Sequence, residues 1–207
     1  MDTPIFVSLL NFVRTGGFGK VQFGIRRAEL FALLGEPDGT AKANRRDSHP
    51  TIFLYGGWEF YVHADADALY GIRCDTGEHL RGGDTLVVDP WRLRFGLPIA
   101  DAESALLAEG IAFEVRKAER ETRLIIGGGA ALFFATDPEY YDGTGLWAIE
   151  CWRYDLLPHR EPTKQVSITL TESEYEALRQ RAITNRRSIG VQCAEWVREH
   201  LPPRTGE

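Results

Sequence analysis

Five histidines, three cysteines and thirty carboxylates are available for chemistry in this 207-residue chain. Their spacing directs them to no familiar reaction. His49, His63, His79, His159 and His200 are scattered, with neither HxxxH nor HExxH to place two imidazoles on one helical face. Cys74, Cys151 and Cys193 are odd in number, widely separated and free of any CxxC. That pattern fits buried thiols in a reducing cytoplasm better than a zinc site or a disulfide framework. In "HADADALYG" Asp65 and Asp67 invite a calcium reading, yet positions 6 and 12 of such a loop fall on Tyr70 and Thr76 instead of Gly and Glu. A polar hairpin turn is the simpler expectation. "RTGGFGK" and "IIGGGAAL" are glycine-rich but lack the GxxxxGK[ST] order and the strand–GxGxxG–helix setting of phosphate loops. No carboxylate pair is singled out for acid–base work. The chain is therefore expected to be a non-enzyme without cofactor or metal, and function must be sought in surfaces.

The elements that would carry such surfaces repeat. "VQFGIRRAELFALLGEP" (21–37) is echoed by "LRFGLPIADAESALLAEG" (93–110), "LYGGWEFYV" (54–62) by "IIGGGAALFF" (125–134), and "LYGIRC" (69–74) by "LWAIEC" (146–151). Three matches in one order suggest a duplication, with repeats over about 19–76 and 91–152. Each copy reads as a short helix (26–34 and 99–109) ended by Gly35-Glu36-Pro37 or Gly110. Antiparallel hairpins of aromatic and β-branched runs follow. Trp58, Phe60 and Val62 share a strand face opposite Glu59 and Tyr61; Tyr70, Ile72 and Cys74 are assigned one face, and so are Trp147, Ile149 and Cys151. Phe53, Tyr55 and Tyr61 are placed off the face of Ile52, Leu54, Trp58 and Phe60, so that both sheet faces carry rings. One face packs on helices. The other is either covered by the second repeat or exposed as a protein-binding patch of Phe53, Tyr55 and Tyr61, extended by Tyr140 and Tyr141 in the loop "ATDPEYYDGTG".

The order G-φ-…-LG-x-P, then a hairpin and a last strand, resembles the unit of the small outer-membrane assembly lipoproteins. Two units in tandem resemble the β-lactamase-inhibitor protein. "LGEPD" with "LYGGWEFYV" also looks like a group of uncharacterised bacterial proteins with a "GEPD … YGdhEFhF" signature. No lipobox cysteine stands near the start, which sets the lipoprotein branch aside. The resemblance implies a two-lobed α+β domain, 1–154, with a protein-binding sheet face.

"DLLPHREPTKQ", with two prolines, marks a linker over 155–163. Beyond it, "KQVSITL" alternates strictly, Val166, Ile168 and Leu170 facing one way and Gln165, Ser167 and Thr169 the other. Thr171 and Glu174 form a capping-box pair, Tyr175, Leu178 and Ala182 an apolar stripe, and Ser188 a second N-cap. A strand, a three-turn helix, a short turn and a Ser-capped helix over 164–207 resemble a ribbon–helix–helix domain of the CopG/Arc/MetJ type. The resemblance implies a homodimer whose paired strands enter the major groove. Gln165, Ser167 and Thr169 would read base edges. Lys164, Arg186, Arg187 and Ser188 would hold phosphates, Ser188 with its helix N-terminus. The strand carries no Arg, and residues 160–207 hold 8 Lys/Arg against 7 Asp/Glu. Dimerisation without DNA contact and an unrelated helical hairpin therefore stay open beside DNA reading.

Residues 1–159 hold 16 Lys/Arg against 23 Asp/Glu, so the acidic bulk would be repelled by nucleic acid. No apolar run approaches the roughly 18 residues of a membrane span. "MDTPIFVSLLNFVRTGG" lacks a basic leader and reads as a strand or helix of the fold. The expectation is a cytoplasmic α+β protein without membrane contact: a DNA-binding regulator of antitoxin type with a protein- or ligand-binding N-terminal domain. The alternative is a toxin-neutralising immunity or inhibitor protein whose tail only dimerises.

Overall fold

The computed structural model describes residues 4–75, 80, 82–137, 144–158 and 171–184. The chain divides into two compact units, Met1–His159 and Arg160–Glu207. It is mixed α+β with a large antiparallel sheet.

The first unit opens with β1 (Ile5–Ser8), α1 (Leu9–Thr15) and α2 (Arg27–Leu34), followed by β2 (Gly39–Ala41), β3 (Ile52–Tyr55), β4 (Trp58–Val62) and β5 (Leu69–Cys74). Then come β6 (Leu86–Asp89), α3 (Ile99–Ala108), β7 (Phe113–Lys117), β8 (Glu121–Ile126), β9 (Ala130–Ala135) and β10 (Gly145–Trp152). Glycine ends the first two helices where the sequence places it. Gly16 caps α1 at φ 74°, and Gly35 caps α2, its carbonyl accepting a hydrogen bond from the Tyr55 hydroxyl at 2.8 Å. The Arg26 N–H, orphaned at the start of α2, donates to Glu29 Oε2 at 2.8 Å.

β1 and β6 pair in parallel as a separate two-stranded sheet. The other eight strands form one antiparallel sheet in the order β2-β3-β4-β5-β10-β9-β8-β7. This order reads the same way outward from the central β5–β10 pair, whose register sets Arg73 opposite Glu150. Two further features recur about that centre. Tyr61 pairs with Gly71 and Val62 with Leu69, leaving Tyr70 as an extra residue; Leu146 pairs with Phe134 and Ala148 with Phe133, leaving Trp147 extra. Each is a β-bulge at the second residue of its strand pattern. Just upstream, the Gly24 N–H donates to Leu69 O at 2.7 Å and the Leu69 N–H to Ile25 O at 2.9 Å. The Gly96 N–H donates to Leu146 O at 2.8 Å and the Leu146 N–H to Leu97 O at 2.9 Å.

All three helices bury their apolar residues against one sheet face, in a single cluster with Phe53, Tyr55, Trp58, Phe60, Leu124, Phe134, Ile149 and Cys151. Edge-to-face rings dominate its first half, with Phe12–Trp58 centroids 5.8 Å apart and Phe18–Phe60 centroids 5.5 Å apart. Close backbone contact joins α1 to the β8–β9 turn. A Cβ on Gly16 would stand 2.4 Å from Gly128 O, and one on Gly128 would stand 2.9 Å from Gly16 N. The two glycine-rich stretches thus meet each other.

Two face assignments made from sequence are corrected. The two-residue turn Gly56-Gly57 makes Tyr55 and Trp58 direct partners, and likewise Phe53 and Phe60. Directly opposed residues share a face, so Phe53 and Tyr55 lie in the core, with Ile52, Leu54 and Tyr61 on the other side. The bulges separate Tyr70 from Ile72 and Cys74, and Trp147 from Ile149 and Cys151, because two consecutive residues then face the same way.

In the second unit the described element is α4 (Glu172–Thr184). The Thr171 N–H donates to Glu174 Oε2 at 2.8 Å, and the Glu174 N–H points back to Thr171 Oγ1 at 3.4 Å, the reciprocal capping that the spacing predicts. The strand at 164–170 and the helix following Ser188 lie outside the described residues. Among the described residues no helix is long and apolar enough to cross a membrane.

Candidate functional site: the second face of the sheet

Among the described residues no α-helix of the first unit packs on the face opposite the core. Near the centre it carries rings from both halves. Tyr61 and Tyr70 of the first half surround Trp152 from the end of β10, with centroids 4.7 and 5.6 Å away. Tyr154, in a 3-10 turn over Tyr154–Leu156, stacks on Trp152 at 5.7 Å and 11°, and is 63% exposed. His63 meets Tyr70 edge-on at 6.2 Å. Gly71, the register partner of Trp152, makes this packing feasible: a Cβ there would sit 2.0 Å from Trp152 Cζ3. The indole lies where a side chain would have been.

Beside the rings runs a charged strip. Tyr61 donates its hydroxyl to Glu59 Oε2 at 2.6 Å; burial, then this carboxylate, hold the phenol well above its ordinary range. Arg73 bridges Asp75 at 2.8 Å and Glu150 at 3.9 Å, and its guanidinium stands 5.8 Å from the Trp147 ring. Burial pushes the Glu150 carboxyl upward, partly offset by a hydrogen bond from Trp152 and by Arg73. Farther out, Trp147 and Ile125 cover a small apolar cluster of Ala131, Phe133 and Ala148, with the Arg123 guanidinium 4.8 Å from the Phe133 ring and paired to Glu121.

The carboxylates of this surface are engaged by Arg or Tyr. The Cys151 thiol, between Glu150 and Trp152 in sequence, is buried on the core side and pushed up to about 11 by desolvation, so it is protonated at neutral pH and poor as a nucleophile. Mixed aromatic and Arg-centred faces are what protein interfaces favour at their centres.

Of the residues picked from sequence, Tyr61 stands in this patch, whereas Phe53 and Tyr55 are core. Tyr140, Tyr141, Lys164, Gln165, Ser167, Thr169, Arg186, Arg187 and Ser188 lie outside the described residues. Sequence reasoning missed Tyr70, Trp152 and Tyr154. The bulge conceals the first; the other two follow the last repeat motif, where no alternation was expected. No family model, curated protein or solved structure matches the chain.

Proposed function

We propose that residues 1–154 are a tandem duplication of one helix-plus-antiparallel-sheet unit, and that the chain is a non-enzymatic binding protein of antitoxin or immunity type. The mirrored strand order, the equivalent bulges at Tyr70 and Trp147, and the matched Gly24 and Gly96 hydrogen bonds support the duplication. The two copies join edge to edge, so neither covers the ring-bearing face of the other. The single observation that carries the binding function is the Tyr61–Tyr70–Trp152–Tyr154 cluster beside the Arg73–Glu150 pair, assembled from both copies. A partner protein would seat a polar, basic-rimmed patch there, because unit 1 is acidic overall.

The test is affinity capture from the producing cells, with wild type and a Tyr70→Ala/Tyr154→Ala variant, followed by reconstitution of the prey from purified components. Rings at the centre of an interface are worth about 2 kcal/mol each, about 30-fold, so the double variant should weaken binding on the order of 10³-fold. An identified partner that binds both forms equally would refute the assignment.

A second reading concerns the tail and is favoured by α4. Its capping box stands directly after the alternating 164–170 segment, as a ribbon–helix–helix module requires. In this reading two chains pair through 164–170 and read DNA through Gln165, Ser167 and Thr169. A gel shift on the DNA upstream of the chain's own gene, steeply salt-dependent and lost in Thr169→Ala/Arg187→Ala, is the expected outcome. A dimer that makes no shift would leave the tail as a dimerisation module and the chain as an immunity-type protein.

A further inference from the structure

In the second half, a cleft of about 350 Å³ opens between the start of α3 and the ends of β8, β9 and β10. Pro98, Ile99 and Phe134 form its apolar walls, and Thr122, Thr136 and Thr144 supply hydroxyls. Among the described residues no charged side chain lines it.

The first half shows what this place looks like when filled. By the internal register, Arg27 stands where Ile99 does, Asp67 where Thr144 does, and Thr51 where Thr122 does. Arg27 bridges to Asp67 at 3.2 Å and lies 5.4 Å from the Phe53 ring, while Arg26 and Ala68 pair as an isolated bridge. The Thr51 hydroxyl is fully used: it accepts from the Ala43 N–H at 2.9 Å and donates to Asp47 Oδ2 at 3.1 Å. In the second half Ile99 is too short to span the gap and Thr144 offers no charge to reach for. Thr122 is 7% exposed, lines the cleft, and its hydroxyl bonds to no described residue. A hydroxyl that opens to a cleft and has no protein partner is available, as donor and acceptor, to whatever occupies the cleft.

We infer that this cleft binds a small uncharged carbonyl compound with an apolar ring or branched chain. The carbonyl accepts from the Thr122 hydroxyl and from the Ile99 N–H at the start of α3, which has no intrahelical acceptor; only from Asp101 onward do the helix amides turn back to Pro98 O. Ile99, Pro98 and Phe134 hold the apolar body. A carboxylate is disfavoured: the described lining offers no cation, and Asp101 stands in the first turn of α3. An amine is disfavoured because the described lining offers no carboxylate. The comparison with the first half rests on the proposed duplication, but the site uses none of the sheet-face residues and so is independent of partner binding there.

The experiment uses the full chain, with phenylacetamide as probe and amide resonances as readout. The expected result is saturable shifts confined to residues around Ile99, Thr122 and Thr144, with an affinity on the order of millimolar for so small a ligand. Thr122→Val, which keeps the shape and removes the hydroxyl, should weaken binding about fivefold. Ile99→Arg/Thr144→Asp, which rebuilds the bridge of the first half, should abolish it. Phenylacetate should bind more weakly than the amide. Absence of saturable shifts, binding indifferent to Thr122→Val, or a preference for phenylacetate would overturn the assignment. Should the double variant lose its dispersed spectrum, Thr122→Val decides the matter alone.

Discussion

Replacing Gly16 by alanine adds one methyl group at the point where α1 touches the β8–β9 turn. Two separate costs follow. Gly16 has φ 74°, a left-handed conformation that costs a residue with a Cβ about 1 kcal/mol. The new Cβ would also stand 2.4 Å from Gly128 O and 3.3 Å from Cys151 Sγ. Gly128 contributes backbone, which cannot rotate out of the way, so α1 or the hairpin must shift; overpacking of this kind costs roughly 1–3 kcal/mol. The sum is about 3 kcal/mol, or a midpoint lowered by about 6–12 °C for a chain of this size. Gly110 serves as the control, because it shares the left-handed conformation at φ 69° but a Cβ there meets nothing within 4 Å. Gly110→Ala should therefore cost only about 1 kcal/mol. Gly128→Ala is the complementary case, a close approach without positive φ, its Cβ 2.8 Å from Thr15 C. Tryptophan fluorescence during thermal and urea unfolding reports on all three, since Trp58, Trp91, Trp147 and Trp152 lie in residues 1–159. Equal shifts for Gly16→Ala and Gly110→Ala would refute the close-approach reasoning.

Gly71→Ala should push the Trp152 indole out of its ring cluster, seen as a red-shifted emission with about 1 kcal/mol lost, because the colliding group is a side chain that can move; unchanged emission would contradict the observed packing. Glu150→Gln should raise stability at pH 7. The folded carboxyl is raised above its ordinary value, so its protonated form is the better tolerated, and its stabilising contribution is present at low pH and lost as pH rises through the folded value. The advantage of Gln should accordingly vanish on acidification, as followed by urea midpoints against pH. Cys74 and Cys151 are buried, and Cys151 is pushed up to about 11, so peptide mapping after brief iodoacetamide treatment at pH 8 should find both unmodified until urea unfolds the chain.

Much of the local structure is legible in the residues themselves. The helices read over 26–34 and 99–109 appear as Arg27–Leu34 and Ile99–Ala108, and the Thr171–Glu174 pair caps α4. The burial of Trp58, Phe60 and Val62 on one face is also as the alternation predicts. Helix periodicity, capping and strand alternation are near-neighbour effects, settled by side chains a few positions apart. Of the ring-bearing patch only Tyr61 is legible. A bulge shifts the alternation by one residue, and nothing in "LYGIRC" or "LWAIEC" announces one, so simple alternation puts Tyr70 and Trp147 on the wrong side.

By itself the sequence determined the short helices, the hairpins and the matching order of motifs in 19–76 and 91–152. Only the tertiary structure decided that β5 and β10 join as the centre of one sheet, that Phe53 and Tyr55 are core, and that Trp152 completes a ring cluster of the other half. It also decided that Thr122 lines a cleft where Thr51 is bonded. These outcomes depend on which edges meet across more than 70 residues of chain. Long-range pairing is chosen by the total burial and hydrogen bonding of the assembled sheet, and no single segment encodes it.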